Sequence, residues 1–293
     1  MHAEIVVCLK HGIGDELTII GPLVASLLTD GWTVEVVTHH PFLYSNPRLG
    51  VRDWRGIPSD LYRPAPCDLG ICVVSRPGSR LPLEFDRTPL AREPCLAQGY
   101  RLLDGDGRDL GHDFENGYDY SRFVLTQLGL KLYPPPWPFL ERIIGDEIVL
   151  VPFGRGDLVK GMAPELAWDV VRMVCESLPD ETFVMPMIDT MPAPHNSMTL
   201  PDNLTLERRP YGDPELLRIH LRAKCMVTAE GGGYHIARAV DIPVLLVTST
   251  DWLAQVKHAI PAPPRAEHLF DRQRPDAAEI SNGITRWITS RLG

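Results

Sequence analysis

Two glycine-rich turns carry the residues whose types and spacing could do chemistry, and each lies between an apolar run and a helical pattern. The sharper one reads Glu230-Gly231-Gly232-Gly233-Tyr234-His235. Free N–H groups and the dipole at a helix start attract a phosphate, and glycines let the backbone come close to it. A tight strand-to-helix turn that merely needs a positive φ would also use glycine, although three exceed what one turn requires. Both readings stay open at this point, with His235 placed in the helix's first turn where it could face a ligand. The spacing is not GxxxxGK[ST], so a nucleoside triphosphatase loop is not supported.

The second turn is Gly12-Ile13-Gly14-Asp15-Glu16. Asp15 could take a proton as a general base, or it could simply cap the following helix. The residues alone favour the cap, with Glu16 serving the same helix dipole. A third loop, 152–160, carries Arg155 and Lys160, which could neutralise a pyrophosphate or belong to a solvated loop. All three loops follow strands and would converge on one cleft between the halves of the chain.

Other clusters carry less. His39-His40 looks like a metal pair, but no carboxylate or cysteine lies near at ligand spacing. Asp104, Asp106 and Asp109 lack the later glutamate of a calcium loop. Arg208-Arg209 near Tyr211 reads as surface, and a serine-nucleophile GxSxG is absent. The six cysteines form no CxxC pair, which points to reduced thiols and away from zinc. No metal site is expected.

The elements that must position these residues follow from hydrophobic period and punctuation. The 293 residues are 44% hydrophobic and 23% charged, enough for a packed core and, at roughly 150 residues per domain, for two domains. Strands are predicted at 5–9, 33–38, 69–74, 148–151, 182–185, 204–206, 225–228 and 244–247. Helices are predicted at 17–28, 120–128, 164–178, 213–223, 234–240 and 276–292. Alternating strands and helices imply parallel sheets, hence two doubly wound α/β halves. Prolines crowd 134–138, so 133–138 reads as a stiff extended linker, and 76–118 is assigned only to loops and short helices. The longest apolar stretch, 17–28, contains Pro22 and is too short to span a membrane. The N-terminus lacks a signal-peptide pattern, so a cytoplasmic protein is expected. A net charge of -9 argues against a partner held by a strong positive field.

The segment 221–239, with Glu230-Gly231-Gly232-Gly233-Tyr234-His235-Ile236-Ala237 at its centre, resembles the D-[ST]-G-x-x-H-[LI]-[AT]-A motif of glycosyltransferase family 9, the heptosyltransferase-like enzymes. Gly14-Asp15 with Leu17, Pro22 and Leu23 is similar to the family's G-D-x-L-x-x-x-P-x-[LI]. Asn46-Pro47-Arg48-Leu49, Leu128-Gly129-Leu130 and 243–251 match further family stretches. Glu230 stands where the family has Asp and Gly231 where it has Ser or Thr, and Lys160 to Pro164 follows K-x-W-P only loosely.

The resemblance implies a GT-B fold: two Rossmann-like domains facing a central cleft, with a C-terminal helix. The expected boundaries are 1–140 for the acceptor domain, 141–274 for the donor domain, and 275–293 for a helix packing back on the first. It implies an inverting, metal-independent transfer of a heptose or hexose from a nucleotide-diphosphate sugar, with no further cofactor. Asp15 would be the base, and Arg155, Lys160, Glu230, Gly231, Gly232, Gly233 and His235 would bind the donor. Gly14, His39 and His40 are candidates on the acceptor side. The acceptor stays open: a saccharide first, then a hydroxylated DNA base, a protein or a small molecule. A degenerate protein that binds a nucleotide sugar without transferring it is the non-enzymatic alternative. Acidic residues outnumber basic ones over 1–140, which counts against a strongly anionic acceptor.

Overall fold

The structure, a computed structural model, describes residues 1–7, 12–53, 64–73, 99, 101–103, 117–153, 162–188, 191–194, 198–210, 212–250, 267–271 and 273–292. Arg155, Lys160, the Asp104 to Asp109 run, Tyr211 and the side chain of Asp15 lie outside that set. The chain divides into two compact units, Met1–Glu141 and Arg142–Gly293.

In the first unit, strands β1 (His2–Val7), β2 (Thr33–Thr38), β3 (Leu49–Asp53), β4 (Leu69–Val73) and β5 (Arg101–Leu103) form one sheet. Its order is β3-β2-β1-β4-β5 and every pairing is parallel. Central β1 is buried from Ala3 to Val7, as expected of a strand covered on both faces. Helix α1 (Ile13–Thr29) buries Leu17, Ile20, Leu23, Val24 and Leu27, and α2 (Gly117–Gln127) packs against it. The Ser121 hydroxyl donates to the Ile19 carbonyl at 2.7 Å, joining the two helices. Helix α1 stops where Asp30-Gly31 predicts: Gly31 has φ +88, and the Trp32 N–H returns to the Leu27 carbonyl.

One charge sits inside this sheet. Glu4 is fully buried at the middle of β1. Arg52 of β3 reaches it and also pairs with Glu35, the register partner of Glu4 on β2, while the Ala65 N–H donates to Glu4 at 2.9 Å. A buried carboxylate needs this counter-charge, because removing one member would strand the other in a low-dielectric interior.

Residues 133–138 are not the extended linker that their prolines suggest. The segment folds down on the first unit, because its aromatic residues bury more than an extended tether could. Trp137 is 6% exposed and Phe139 fully buried, and their rings stack at 5.6 Å. The Tyr133 hydroxyl donates to Asp30 at 3.0 Å, and the Asn46 amide donates to the Pro138 carbonyl at 2.8 Å.

The second unit holds β6 (Ile148–Val151), β7 (Phe183–Met187), β8 (Leu204–Arg208), β9 (Cys225–Thr228), β10 (Val244–Ser249) and β11 (Glu267–Phe270). They run in the order β11-β10-β9-β6-β7-β8, again all parallel. Helices α3 (Pro164–Ser177), α4 (Pro214–Leu221), α5 (Gly232–Ala239) and α6 (Ala277–Leu292) accompany the sheet. Asp213 caps α4, accepting from the Glu215 N–H at 2.9 Å. The Asn203 amide ties off the end of α3 by donating to the carbonyls of Cys175, Leu178 and Glu181.

The final helix belongs to this unit. Ile280, Ile284 and Ile288, one face at helical spacing, join Trp168, Val171 and Val174 of α3 in one core. Its apolar stripe is spent inside that unit, on the face of α3. Gly283 lies against the His268 ring of β11, where a side-chain carbon would collide.

Trp137 lies so close to α1 that a Cβ on Gly21 would come 2.5 Å from the indole ring. Gly21→Ala gains about 1 kcal/mol of helix propensity but overpacks a rigid buried ring, which typically costs about 1–3 kcal/mol. The expected result is a net loss of about 1 kcal/mol in urea denaturation of the first unit, abolished when Trp137→Leu makes room.

Candidate functional site

A parallel sheet delivers every strand's carboxyl end to one edge, and a ligand gap opens where the connections on either side of one strand run in opposite directions. In the second unit that point lies between β6 and β9. Val151 pairs with Thr228, and the Ala229 N–H donates to the Val151 carbonyl at 2.8 Å. The chain leaving β9 is therefore the glycine turn singled out in the sequence, and the chain leaving β6 leads toward Arg155 and Lys160.

The turn's geometry separates the roles of its glycines. Gly231 precedes α5 with φ 157 and ψ -164, a region essentially reserved for glycine, although open space surrounds its missing side chain. Backbone conformation alone accounts for Gly231. Gly233 faces the His220 ring and the Thr228 hydroxyl, each 3.4 Å from where a Cβ would sit, so a side-chain carbon there would just touch both. Gly232 opens α5, where its N–H is one of those left without a partner inside the helix.

His235 is 8% exposed and accordingly faces its neighbours more than solvent. Its Nε2 lies 3.5 Å from Glu230 Oε1, and its ring meets Tyr234 edge to face at 5.4 Å. Glu230 and His235 thus sit together at the start of α5, and a carboxylate there accepts hydroxyl donors rather than anions.

In the first unit the corresponding point lies between β1 and β4. The helix starts at Ile13, earlier than the expected 17, so Gly14, Asp15 and Glu16 form its first turn. The Glu16 N–H donates to the Gly12 carbonyl at 3.1 Å, and the Thr18 hydroxyl to the Gly14 carbonyl at 2.9 Å. Asp15 is thereby the third helical residue, inside the helix rather than at the N-cap. His39 and His40 follow β2 on the same edge of the sheet, His39 half-buried and His40 buried against Phe42.

Glu16, expected to serve the helix dipole, does more than that. Its side chain is fully buried and accepts from the hydroxyls of Thr38 and Tyr44. Nothing in the sequence marks Thr38, Tyr44 or His220 as belonging to these sites. Among the described residues, no three His, Cys, Asp or Glu side chains are grouped to hold a metal ion. None of the described helices is long and apolar enough to cross a membrane.

No protein-family model and no curated protein matches the sequence. Solved structures do match. The fold is similar to that of the E. coli heptosyltransferase WaaC with ADP, at TM-score 0.62 and 14% identity, over 99% of this chain and 100% of that one. It is similar to the E. coli ADP-heptose lps heptosyltransferase II at TM-score 0.60 and 10% identity, over the full length of both. A glycosyl transferase family 9 structure from Veillonella parvula aligns at TM-score 0.61 and 14% identity, over 99% of this chain and 97% of that one. The chain has the heptosyltransferase-like form of the GT-B fold.

His220 offers a check on the packing beneath the glycine turn. Burial pushes its imidazole below the usual value, outweighing the bond between Nδ1 and the Leu216 carbonyl. The folded state therefore prefers the neutral ring. The stability that results is fully present above the unfolded value near 6.5 and is lost as pH falls toward the folded one. The unfolding free energy of the second unit should decline from pH 7 to pH 5, and His220→Gln should flatten that decline.

Proposed function

We propose that the protein is an inverting, metal-independent glycosyltransferase that moves a heptose or hexose from a nucleotide-diphosphate sugar to an acceptor hydroxyl. The observation that carries this reading is the turn Glu230–Gly233, which opens a helix at the point between β6 and β9 where such sheets bind ligands. The fold it shares with ADP-heptose enzymes points to ADP-heptose as the first donor to try.

In this reading the diphosphate meets the N–H groups of Gly231, Gly232 and Gly233 and the positive end of α5. Arg155 and Lys160, from the loop after β6, add full positive charge. Glu230, beside His235, accepts from sugar or ribose hydroxyls. As the glycosidic bond to the diphosphate lengthens, positive charge grows on the sugar and negative charge on the leaving group. Fixed N–H dipoles and cations stabilise that negative charge without having to reorganise. This is the service a divalent ion gives elsewhere, which supports metal-independent transfer.

Asp15 takes the proton of the acceptor hydroxyl as its oxygen attacks the anomeric carbon from the face opposite the diphosphate. A carboxylate in the first turn of a helix is favoured in its charged form, so it is a weak base whose main contribution is position. Gly14, His39 and His40, on the same sheet edge, are proposed to line the acceptor side. The acidic excess over 1–140 favours a neutral saccharide acceptor over a polyanion.

Calorimetry with ADP, GDP and UDP in the presence of EDTA should show binding of at least one nucleotide by the wild-type protein. Gly232→Val should weaken that binding at least tenfold while lowering the melting temperature only slightly. Binding that requires magnesium, or parallel losses of affinity and stability, would overturn the phosphate assignment.

Asp15→Asn keeps the shape of the side chain while removing its basicity. Turnover should drop by roughly 10²–10⁴-fold, the usual share of general-base catalysis, with nucleotide affinity retained. Near-normal turnover in this variant would end the case for Asp15 as the base.

A further inference from the structure

Glu16 is placed as few carboxylates in a helix's first turn are. Its side chain is fully buried, and its Oε1 accepts from Thr38 Oγ at 2.6 Å and from the Tyr44 hydroxyl at 2.7 Å. The Thr38 hydroxyl in turn accepts from the backbone N–H of His40 at 3.0 Å. A line of donors thus runs from the His40 N–H through the Thr38 hydroxyl to Glu16, and the Tyr44 hydroxyl closes on the same oxygen from the other side.

Burying a carboxylate costs free energy unless strong bonds satisfy it, and short bonds from hydroxyls to a charged acceptor are of that kind. The Tyr44 hydroxyl is held well above its usual pKa by burial and by the charge of Glu16, so it remains a donor at any ordinary pH. A helix that needed only a favourable dipole partner would leave this carboxylate in water. Here the charge is turned inward, and what it joins is specific. One end is the turn of α1 that carries Asp15. The other is the segment 38–44, whose ends grip Glu16 and whose interior holds His39, His40 and the short 3-10 turn Pro41–Leu43.

We propose that Glu16 is a positioning residue: through Thr38 and Tyr44 it locks the Asp15 turn to the His39-His40 segment, so that base and acceptor meet at one fixed distance. The proposal rests on the reading of Asp15 as the base. Misplacement of a reacting pair by about an ångström is enough to cost roughly a hundredfold in rate.

The test compares wild-type protein with Thr38→Val, Thr38→Ser, Tyr44→Phe, Glu16→Gln and Asp15→Asn. The probe is ADP-heptose, with release of ADP to water as the readout. Thr38→Val and Tyr44→Phe should lower kcat by about ten- to a hundredfold. The KM for ADP-heptose should stay within about twofold, and Thr38→Ser should restore most of the rate. Glu16→Gln, which can still accept from both hydroxyls, should fall between wild type and Thr38→Val. Wild-type kcat in Thr38→Val and Tyr44→Phe, alongside an inactive Asp15→Asn, would overturn the proposal and leave the base reading standing. A kcat loss matched by equal losses in ADP-heptose affinity and melting temperature would also overturn it, as would failure of Thr38→Ser to rescue. Activity retained in Asp15→Asn would instead remove the base reading on which the proposal stands.

Discussion

Parallel strand pairing is the constraint on which everything else in this molecule depends. Two parallel strands cannot be joined by a tight hairpin, so each must be followed by a chain that crosses back over the sheet. Every strand then releases its chain at the same edge, and the sequences at those exits become neighbours however far apart they lie along the chain. Residues 151 and 228 are adjacent for this reason, as are the segments after β1 and β2. Glycines gather where an exit must turn at once into a helix, and Gly231 adopts a backbone angle that other residues avoid.

Against that background, the sequence exposes some features and conceals others. The turn at Glu230–His235 stands out because its signal is local: an apolar run, three glycines and a helical pattern lie within about fifteen consecutive residues. The alternation of strands and helices is readable for the same reason, since the buried strands are short continuous apolar runs. Strands β3, β5 and β11 escape because these edge strands are short or poor in apolar residues: β3 contains Gly50, Arg52 and Asp53, and β5 is only three residues long, inside the 76–118 stretch assigned to loops and short helices. The linker reading of 133–138 fails because proline content reports local stiffness, whereas the outcome is decided by whether Trp137 finds a gap over Gly21. The inward turn of Glu16 is hidden too. Its partners lie 22 and 28 residues away, and neither Thr nor Tyr signals such a contact by type.

The first unit also shows how buried charge is handled when the surroundings are apolar. Glu4 and Glu16 are both fully buried, one in the central strand and one at the helix that follows it. They are satisfied differently. Glu4 is met by a guanidinium from β3 and a backbone N–H, Glu16 by two neutral hydroxyls. The guanidinium spans three strands and holds their register, a structural duty. The two hydroxyls that Glu16 accepts from are neutral, and burial together with the neighbouring carboxylate holds the Tyr44 hydroxyl well above its usual pKa.

The place of α6 bears on how the chain is made. Synthesis proceeds from the N-terminus, and domains generally fold as units as they emerge. The first unit is compact within residues 1–141, so it can close while the rest is still being translated. The second cannot. Its core remains open along Trp168, Val171 and Val174 until Ile280, Ile284 and Ile288 arrive from the last helix. The part of α3 that α6 covers therefore stays bare during translation of roughly a hundred residues, and nascent chains that stall before Ile280 expose it. Truncation by even the final helix would leave a finished first unit attached to a second that lacks one wall of its core.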